Sequence, residues 1–524
     1  MLRTKLSSKL SSFRFFLVAL SVLAVGVTLY LSRSHQDASK IKSAEDYWAE
    51  TGLGPGSLED LIQDQVCGSS ERYFLACTNA LLSVANRYNL SVNHHGHLID
   101  VGALSADINS EKSQLESWRT FFTEQTGEAM KLPFMQAWDE LKTKHISNSQ
   151  MSMMVGIGLN GFISVFRDPH TYLMPVEQFK EVVSKVDNKS QSLGLVLGRA
   201  NGQYIIRKIL PGSPAQAAGL LKGDVVTAID SKKIKGLLQA RVSELLKGNL
   251  GSGVDLSVLR AGRTKTISVT RAESTIPTVS GQVIEGIKPV GVITLNKFAK
   301  STCEKTKSIL MDLKNAQVRG LLLDLRDNPG GQMEEAACVA SLFVGPQQKI
   351  FELRYLDPSK APEVYYGSEE KIFDLPMAIL MNASSASAAE IVAGALRDLN
   401  RAVLVGEKTF GKGSFQEGEL WSQNKKIALF ETKGFYYLPT GRSPQLKGLN
   451  PDVAVRFDNI FVGREEDQFL NPLRAPERAI RNLGRVLSSA DCLELQDGPA
   501  AVDKELLKAR QILFCSKTAI GANQ

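Results

Sequence analysis

The sequence contains no histidine after His170, although the chain continues to residue 524. A serine hydrolase built from the last two thirds of the chain would therefore need another residue as its base. The sequence also lacks a GxxxxGK[ST] motif, a CxxC pair and any Cys/His spacing typical of zinc sites. These absences argue against a P-loop enzyme and a zinc protein. No metal and no cofactor are predicted.

Charge of one sign is not concentrated anywhere in the chain. The formal net charge is +7, with basic and acidic residues well mixed, so no nucleic-acid partner is predicted. Three histidines lie in the segment 93–98, but no further ligand is spaced to complete a metal shell. An exposed polar turn is the favoured interpretation of this segment, and a metal site is the alternative.

Long apolar runs are rare, and the clearest one lies near the N-terminus. Phe15–Leu31 carries no charge and follows Arg3, Lys5, Lys9 and Arg14. A cationic start before an apolar run indicates a signal-anchor or a cleaved signal peptide. No clean A-x-A site follows, so segment 1–35 is predicted to be an uncleaved membrane anchor. The rest of the chain would then lie outside the cytoplasm.

Six cysteines fit such an oxidising compartment. Two local pairs are candidates for disulfides, Cys67 with Cys77 and Cys492 with Cys515. Cys303 and Cys338 fall in helical patterns and are expected to be buried thiols.

The pattern of apolar residues divides the chain after the anchor into four parts. Residues 45–183 and the tail 463–524 are mainly helical, 187–275 is rich in short strands, and strands alternate with helices over 280–462. The prediction is an α/β (α+β multidomain) protein, with an α/β core, an inserted β-rich domain, and helical regions before and after them.

The β-rich part contains the sequence LPGSPAQAAGLLKGDVVTAID, which resembles a PDZ domain. The resemblance implies that the domain binds the C-terminal tails of proteins by strand addition. The loop that would catch the terminal carboxylate is Ser192, Leu193, Gly194 and Leu195. The alternative is a β-rich spacer that binds nothing.

Two strand-to-helix or strand-to-loop junctions carry candidate chemistry. NASSASAAEIVAGAL (382–396) places Ser384, Ser385 and Ser387 between a buried strand and a helix, and Ser387 lies at the helix start. A helix N-terminus favours developing negative charge, although a serine there is often only an N-cap. Lys412 lies between two glycines after the next strand. Lys412 is interpreted either as a general base with a lowered pKa or as part of an anion-binding loop.

These junctions resemble the active-site signature of the carboxy-terminal processing peptidases, the S41 family of serine proteases. The resemblance covers about 165–460 and extends to three further motifs: DPHTYL, GLLLDLRDNPGG and YYLPTGRSPQLKGLNPDV. It implies Ser387 as nucleophile, Lys412 as general base and Gln416 as the residue that orients the lysine. It also implies an oxyanion hole from Ala388 and either Gly330 or Gly331, with Glu390, Asp398 and Thr409 as supporting residues.

The function implied by the resemblance is a serine endopeptidase that processes envelope or periplasmic proteins near their C-termini. The expected location is the bacterial inner membrane, single-pass, with the catalytic part in the periplasm, or the periplasm itself if the signal is cleaved. An adaptor protein or a homo-oligomer is a candidate partner. A catalytically silent PDZ scaffold is the alternative. Asp327, where the family often has asparagine, is expected to be a surface-loop difference of little effect.

Overall fold

The computed structural model describes residues 44–514 apart from several gaps, the longer ones being 101–107, 125–131, 456–464, 466–471 and 479–503. The predicted anchor, together with Cys492, Cys515 and Ser192, lies outside the described residues.

The described part begins with a helical region. Its elements are α1 (Ala44–Thr51), α2 (Gly56–Ile62), α3 (Asp64–Cys67), α4 (Glu71–Arg87), β1 (Leu90–Val92), β2 (Leu98–Asp100), α5 (Ile108–Glu124), α6 (Leu132–Lys142) and α7 (Asn148–Phe166). The helix α7 is long and apolar enough to cross a membrane. It packs beside α4, however, and Met154, Val155 and Leu159 join the same core as Phe74 and Trp138.

Residues 189–275 form a small six-stranded sheet, a separate pair of two short strands, and two short helices. The elements are β4 (Lys189–Ser190), β5 (Leu195–Ala200), β6 (Gln203–Ile209), α9 (Pro214–Ala217), β7 (Val225–Ile229), β8 (Lys232–Lys233), α10 (Gln239–Leu246), β9 (Gly253–Arg260), β10 (Arg263–Thr270) and β11 (Ser274–Thr275). The helix α8 (Val176–Ser184) leads into this part. The strand order β10-β9-β7-β6-β5 places β5 at one end of the sheet.

The third part is a six-stranded sheet in the order β12-β13-β14-β17-β18-β21, parallel from β13 onward. Its strands are β12 (Val279–Ile284), β13 (Val290–Leu295), β14 (Leu321–Asp324), β17 (Met377–Met381), β18 (Val403–Gly406) and β21 (Val453–Ala454). The helices are α11 (Thr302–Asn315), α12 (Met333–Val344), α13 (Ala388–Asp398) and α14 (Lys504–Leu513). Both faces of a parallel sheet are apolar and must be shielded from water, so helices pack on each face.

The C-terminal helix α14 provides the cover for one face. Leu506, Ala509 and Ile512 pack with Val292 and Leu380. The other face packs with α11, α12 and α13 in a separate apolar cluster. The predicted helical tail therefore contributes to the core of the α/β part.

The structure contains a second sheet, which is antiparallel. It has the order β16-β15-β20-β19, with β3 paired to β20. Its strands are β3 (Tyr172–Pro175), β15 (Lys349–Tyr355), β16 (Glu363–Tyr366), β19 (Ser414–Leu420) and β20 (Ile427–Tyr437). The DPHTYL motif precedes the α/β core by more than 100 residues in the sequence. The pairing of β3 with β20 brings this motif next to the core.

The structure contains two disulfides among the described cysteines. Cys67 is bonded to Cys77, as the sequence spacing suggested. Cys303 is bonded to Cys338, which differs from the expectation of two buried thiols. The two residues lie on the neighbouring helices α11 and α12, and 35 residues separate them in the sequence, so no local spacing pointed to their contact.

Candidate active site

Ser387 lies at the turn between β17 and α13 with an unusual backbone conformation. Its φ is 55° and its ψ is −118°, whereas an N-cap residue normally has extended dihedrals with negative φ. A non-glycine residue in this region is strained and needs its surroundings to hold it. The conformation therefore speaks against a role as a simple helix cap.

The carboxylate of Glu390 holds this turn. Its side chain is fully buried. Oε2 accepts the backbone N–H of Ser387 and that of Lys412, each at 2.9 Å. Oε1 accepts the Gly411 N–H at 2.9 Å and the Thr409 hydroxyl. One buried side chain thus fixes the backbones of both candidate catalytic residues relative to each other.

Tyr436 supplies a second brace between the same two residues. Its buried hydroxyl lies 3.2 Å from the carbonyl oxygen of Ser387 and 2.9 Å from that of Lys412. Burial raises the pKa of Tyr436 well above its usual value, so the hydroxyl keeps its proton and remains a donor.

Lys412 is partly buried, between Gly411 and Gly413. Burial lowers its pKa from the usual lysine value, and the carboxylates of Glu465, Asp168 and Glu390 oppose this shift. A lysine with a lowered pKa has a larger neutral fraction at neutral pH, and only neutral lysine can accept a proton. The environment is therefore the one a general base requires.

Gln416 belongs to a polar network that begins at the DPHTYL motif. Its amide nitrogen donates to Ser414 Oγ at 3.0 Å and to Thr432 Oγ1 at 3.2 Å. Thr432 in turn donates its hydroxyl to Asp168 Oδ1 at 2.6 Å, and Thr171 donates to Asp168 Oδ2 at 2.7 Å. The motif thus fixes the strand pair that carries Gln416, and the amide reaches these residues through its nitrogen.

The glycine loop after β14 lies directly against the turn that carries Ser387. The N–H of Ala386 donates to the Asn328 carbonyl at 3.0 Å. A Cβ placed on Gly330 would come within 2.9 Å of the Ala388 nitrogen, so only glycine fits this approach. The N–H of Gly330 donates to Asn328 Oδ1, and this engagement favours Gly331 as the oxyanion donor that would act together with Ala388.

The other two serines have structural contacts. Ser385 is buried, donates its hydroxyl to the Leu325 carbonyl at 2.8 Å and accepts the Asn382 N–H at 2.9 Å. The Ser384 hydroxyl accepts a long hydrogen bond of 3.5 Å from Arg207. Both residues shape the turn that presents Ser387.

Asp327 is placed differently from the expectation of a surface-loop residue. Its side chain is 11% exposed, lies 3.5 Å from Arg207 and accepts the Asn382 amide at 3.1 Å. Arg207 belongs to β6, so this contact joins the small sheet to the glycine loop. No signal in the local sequence revealed that Asp327 would face another domain.

In the predicted carboxylate loop, Leu193, Gly194 and Leu195 are described. Leu193 is buried, and its carbonyl accepts the Ala215 N–H at 2.8 Å. Gly194 has a φ of +74°, and a Cβ there would lie 2.1 Å from the Ser213 Cβ. Gly194 was expected to approach a ligand closely. In the structure its close neighbour is Ser213.

Of the remaining supporting residues, Thr409 and Asp398 both have structural partners. The Thr409 hydroxyl accepts the Leu449 N–H at 2.6 Å. Asp398 accepts the N–H of Thr440 at 3.1 Å and its hydroxyl, and so ties the late PTG turn to the end of α13.

The histidine-rich segment forms the turn between β1 and β2, where His94 packs on Trp118. Among the described residues, no group of three His, Cys, Asp or Glu side chains is placed to hold a metal ion.

Comparison with known families agrees with this geometry. Residues 289–455 match peptidase family S41, and residues 186–270 match the PDZ domain. The S41 match includes the glycine loop, Ser387 and Lys412.

The similarity to peptidase family S41 covers residues 289–455 of the chain.

Curated proteins similar to this chain include proteases of several bacteria. A probable CtpA-like serine protease of Staphylococcus haemolyticus is 28% identical over 319 residues, which make up 61% of this chain and 63% of the relative. The carboxy-terminal processing protease CtpA of Bacillus subtilis is 29% identical over 336 residues, or 63% of this chain and 71% of the relative. The similarity to the Staphylococcus protein therefore spans slightly less than two thirds of that protein.

Among solved structures, the photosystem II D1 C-terminal processing protease matches this chain with a TM-score of 0.46 and 26% identity. The match covers 61% of this chain and 87% of the other.

Four residues near Ser387 and Lys412 were not predicted from the sequence. They are Arg207, Thr432, Tyr436 and Glu465. Tyr436 lies in a motif quoted for the resemblance, so its neighbourhood was marked though its role was not. Arg207, Thr432 and Glu465 had no such signal, because each reaches the site through contacts distant in sequence.

Proposed function

We propose that this protein is a serine endopeptidase with a Ser387–Lys412 dyad that cleaves proteins near their C-termini. The observation that carries the proposal is the buried Glu390 carboxylate. It accepts hydrogen bonds from the backbone N–H groups of both the strained Ser387 and the partly buried Lys412. A scaffold that only binds partners would have no need for this strain.

The chemistry is acyl transfer. Neutral Lys412 accepts the proton of the Ser387 hydroxyl as the oxygen attacks the scissile carbonyl carbon. The carbonyl electron pair moves to the oxygen, and the N–H groups of Ala388 and Gly331 stabilise this oxyanion. Lys412 then protonates the leaving amine, and a water molecule activated by Lys412 hydrolyses the acyl-enzyme. Gln416 keeps the strand that follows Lys412 in place.

The PDZ domain supplies tail recognition in this proposal. Its strand β5 lies at the end of the sheet order, where an extended peptide can add as a further strand. The carboxylate of the tail would meet the loop of Leu193 and Gly194. This arrangement supports protein C-termini as the substrate class.

Contacts between β6 and the glycine loop support a coupling of tail binding to cleavage. The pairing register of β5 with β6 shifts between Val196 and Leu197, so that Arg207 is the extra residue of a bulge. A bulge re-aims its side chain, and Arg207 points to Asp327 and Ser384 at 3.5 Å each. A tail bound to β5 would add to the strand directly adjacent to this bulge.

Replacing Arg207 by methionine tests the coupling. We expect the variant to bind a tail peptide normally but to lose about 5- to 50-fold of the tail-dependent increase in cleavage rate. The measurement is kcat/KM for a short substrate, with and without a free-carboxylate peptide in trans. Arg263→Met, at an exposed position of β10 at the opposite end of the same sheet, is the matched control. Equal stimulation in wild type and Arg207→Met would contradict the coupling.

The proposed function itself is tested with an unfolded protein that has a free C-terminal tail. Wild-type protein should release C-terminal fragments, and amidation of the tail should slow their release. Mapping the fragments by mass spectrometry gives the cleavage positions. If purified wild type and Ser387→Ala release fragments at the same rate at all substrate concentrations, the endopeptidase proposal fails and the PDZ scaffold takes its place.

For location, we propose a membrane-anchored protein that faces the periplasm. The apolar run Phe15–Leu31 and its cationic flank support an anchor. The disulfides Cys67–Cys77 and Cys303–Cys338 support an oxidising compartment. Cell fractionation followed by protease protection of spheroplasts tests both points, and a cytoplasmic, protease-protected catalytic part would contradict them.

A further inference from the structure

Glu465 is a buried carboxylate that the chemistry above does not use. Its side chain is 0% exposed, and Oε1 lies 2.7 Å from His170 Nε2. Its other oxygen, Oε2, is buried and has no hydrogen-bond partner among the described residues. Leaving a buried carboxylate oxygen unpaired is costly, and such an atom is expected to have a partner at some stage of the reaction.

The position of Glu465 is fixed against the loop that carries Lys412. Its backbone N–H donates to the carbonyl of Phe410 at 3.2 Å. Gln445 makes a second link, because its Oε1 accepts the Gly413 N–H at 2.7 Å while its Nε2 lies 3.5 Å from Glu465 Oε1. Glu465 is therefore linked to the loop on both sides of Lys412, directly at Phe410 and through Gln445 at Gly413. It lies beyond residue 455, where the S41 match ends.

Other charged or titratable groups also surround Lys412. They come from α13, from the segment before β3 and from β20, and they are Glu390, Asp168, His170 and Tyr436. Glu390 already accepts four hydrogen bonds. Asp168 already accepts bonds from Thr432, Thr171 and the His170 N–H. Glu465 differs from both because one of its oxygens is unengaged within the described residues.

We propose that Glu465 is the counter-ion of the Lys412 ammonium that forms when Lys412 takes the Ser387 proton. This inference rests on the proposed dyad. In the resting site, neutral Lys412 leaves Oε2 unpaired. After proton transfer, the charge of the new ammonium would be balanced by this carboxylate, which is already buried and bonded to His170 and Gln445. Glu465 forms no covalent bond, so it is a positioning residue that acts through Lys412.

The proposal agrees with the electrostatics of the site. Among the groups that oppose the lowered pKa of Lys412, Glu465 has the largest effect. Removing its negative charge should therefore lower the pKa of Lys412 further and make the lysine a weaker base. A residue that only filled space would reduce activity without moving this titration.

The test is the pH dependence of Ser387 labelling by a small fluorophosphonate, which needs no protein substrate. Glu465→Gln should move the acidic limb of the labelling rate to lower pH by about one unit and lower the plateau several-fold. Glu465→Asp should keep most of the wild-type limb. Glu477→Gln, the same change at an exposed residue, is the matched control. A lower plateau with an unmoved limb in Glu465→Gln would overturn the proposal.

A second measurement separates this inference from the dyad itself. In full-length Ser387→Ala protein, the rate of reductive methylation of Lys412 follows its neutral fraction, and peptide mass spectrometry reports it. Adding Glu465→Gln should lower the midpoint by the same amount as the labelling limb moves. Equal midpoints overturn the role of Glu465. An unlabelled Ser387 in wild type overturns the dyad, whichever midpoint is found.

Discussion

Replacing Ser387 by alanine is expected to lower kcat/KM for a tail-bearing substrate by at least about 10³-fold, and Lys412→Met by a similar factor. In the proposed dyad, Ser387 supplies the attacking oxygen and Lys412 takes its proton, and the Glu390 carboxylate accepts the backbone N–H groups of both residues. Because the two residues act as a unit, the double variant should be no slower than the poorer single variant. Steady-state cleavage and fluorophosphonate labelling measure both effects.

The matched controls for this prediction come from the same neighbourhood. Ser384→Ala removes a hydroxyl three positions away whose contact is a 3.5 Å hydrogen bond from Arg207. It should keep basal cleavage within a few-fold of wild type. Lys447→Met changes an exposed lysine and should be neutral. Cleavage that survives Ser387→Ala but is lost in Ser384→Ala would contradict the prediction and identify Ser384 as the nucleophile.

Replacing Glu390 by glutamine is expected to lower both activity and stability. All four partners of the carboxylate are donors, so an amide nitrogen in place of one oxygen would face two donors without accepting from them. The expected loss is about 2–4 kcal/mol of unfolding free energy. Displacement of Ser387 from Lys412 should cost about 10²-fold in kcat. Chemical denaturation and steady-state kinetics measure the two effects.

The pH dependence distinguishes this site from an ordinary surface carboxylate. Burial raises the pKa of Glu390 from 4.5 to about 7, although the hydrogen bonds from Thr409, Ser387, Gly411 and Lys412 oppose the shift. The folded state thus holds a proton that the unfolded state releases at lower pH. The stability contribution of this group is present in full below about pH 4.5 and is lost as the pH rises through 7.

The difference in unfolding free energy between wild type and Glu390→Gln should therefore change across this pH window. Wild type should lose stability relative to the variant as the pH rises. Glu417→Gln, at an exposed position of β19, should show no such trend. A pH-independent difference for Glu390→Gln would show that the buried carboxyl is already ionised across the window.

Much of the local architecture follows from sequence pattern. The buried strand β17, the turn and the amphipathic α13 were all visible in the segment from Met377 to Asp398, because apolar periodicity changes from continuous to helical there. The resemblance of its SPA…AGL…GD pattern to PDZ domains located that domain. These features arise from contacts within a few tens of residues, for which the linear sequence is sufficient.

Contacts between distant segments could not be predicted in this way. The cysteines at 303 and 338 were expected to be thiols, and Asp327 was expected to lie on a surface loop. The disulfide depends on how α11 packs beside α12. The environment of Asp327 depends on a bulge in another domain that brings Arg207 to it. Neither arrangement has a periodic or compositional signal, because the partner residues have no fixed spacing.

By itself, the sequence determined the residue types and the junctions at which they lie: Ser387 before a helix, Lys412 between two glycines, and a PDZ-like domain before both. Only the tertiary structure decided how the two are held. It buried Glu390 beneath both backbones, set Tyr436 across their carbonyls and brought Glu465 from beyond the matched domain to the lysine loop. The physical reason is that a lysine's pKa and a serine's strain depend on burial and on neighbours in space, which only the packed chain creates.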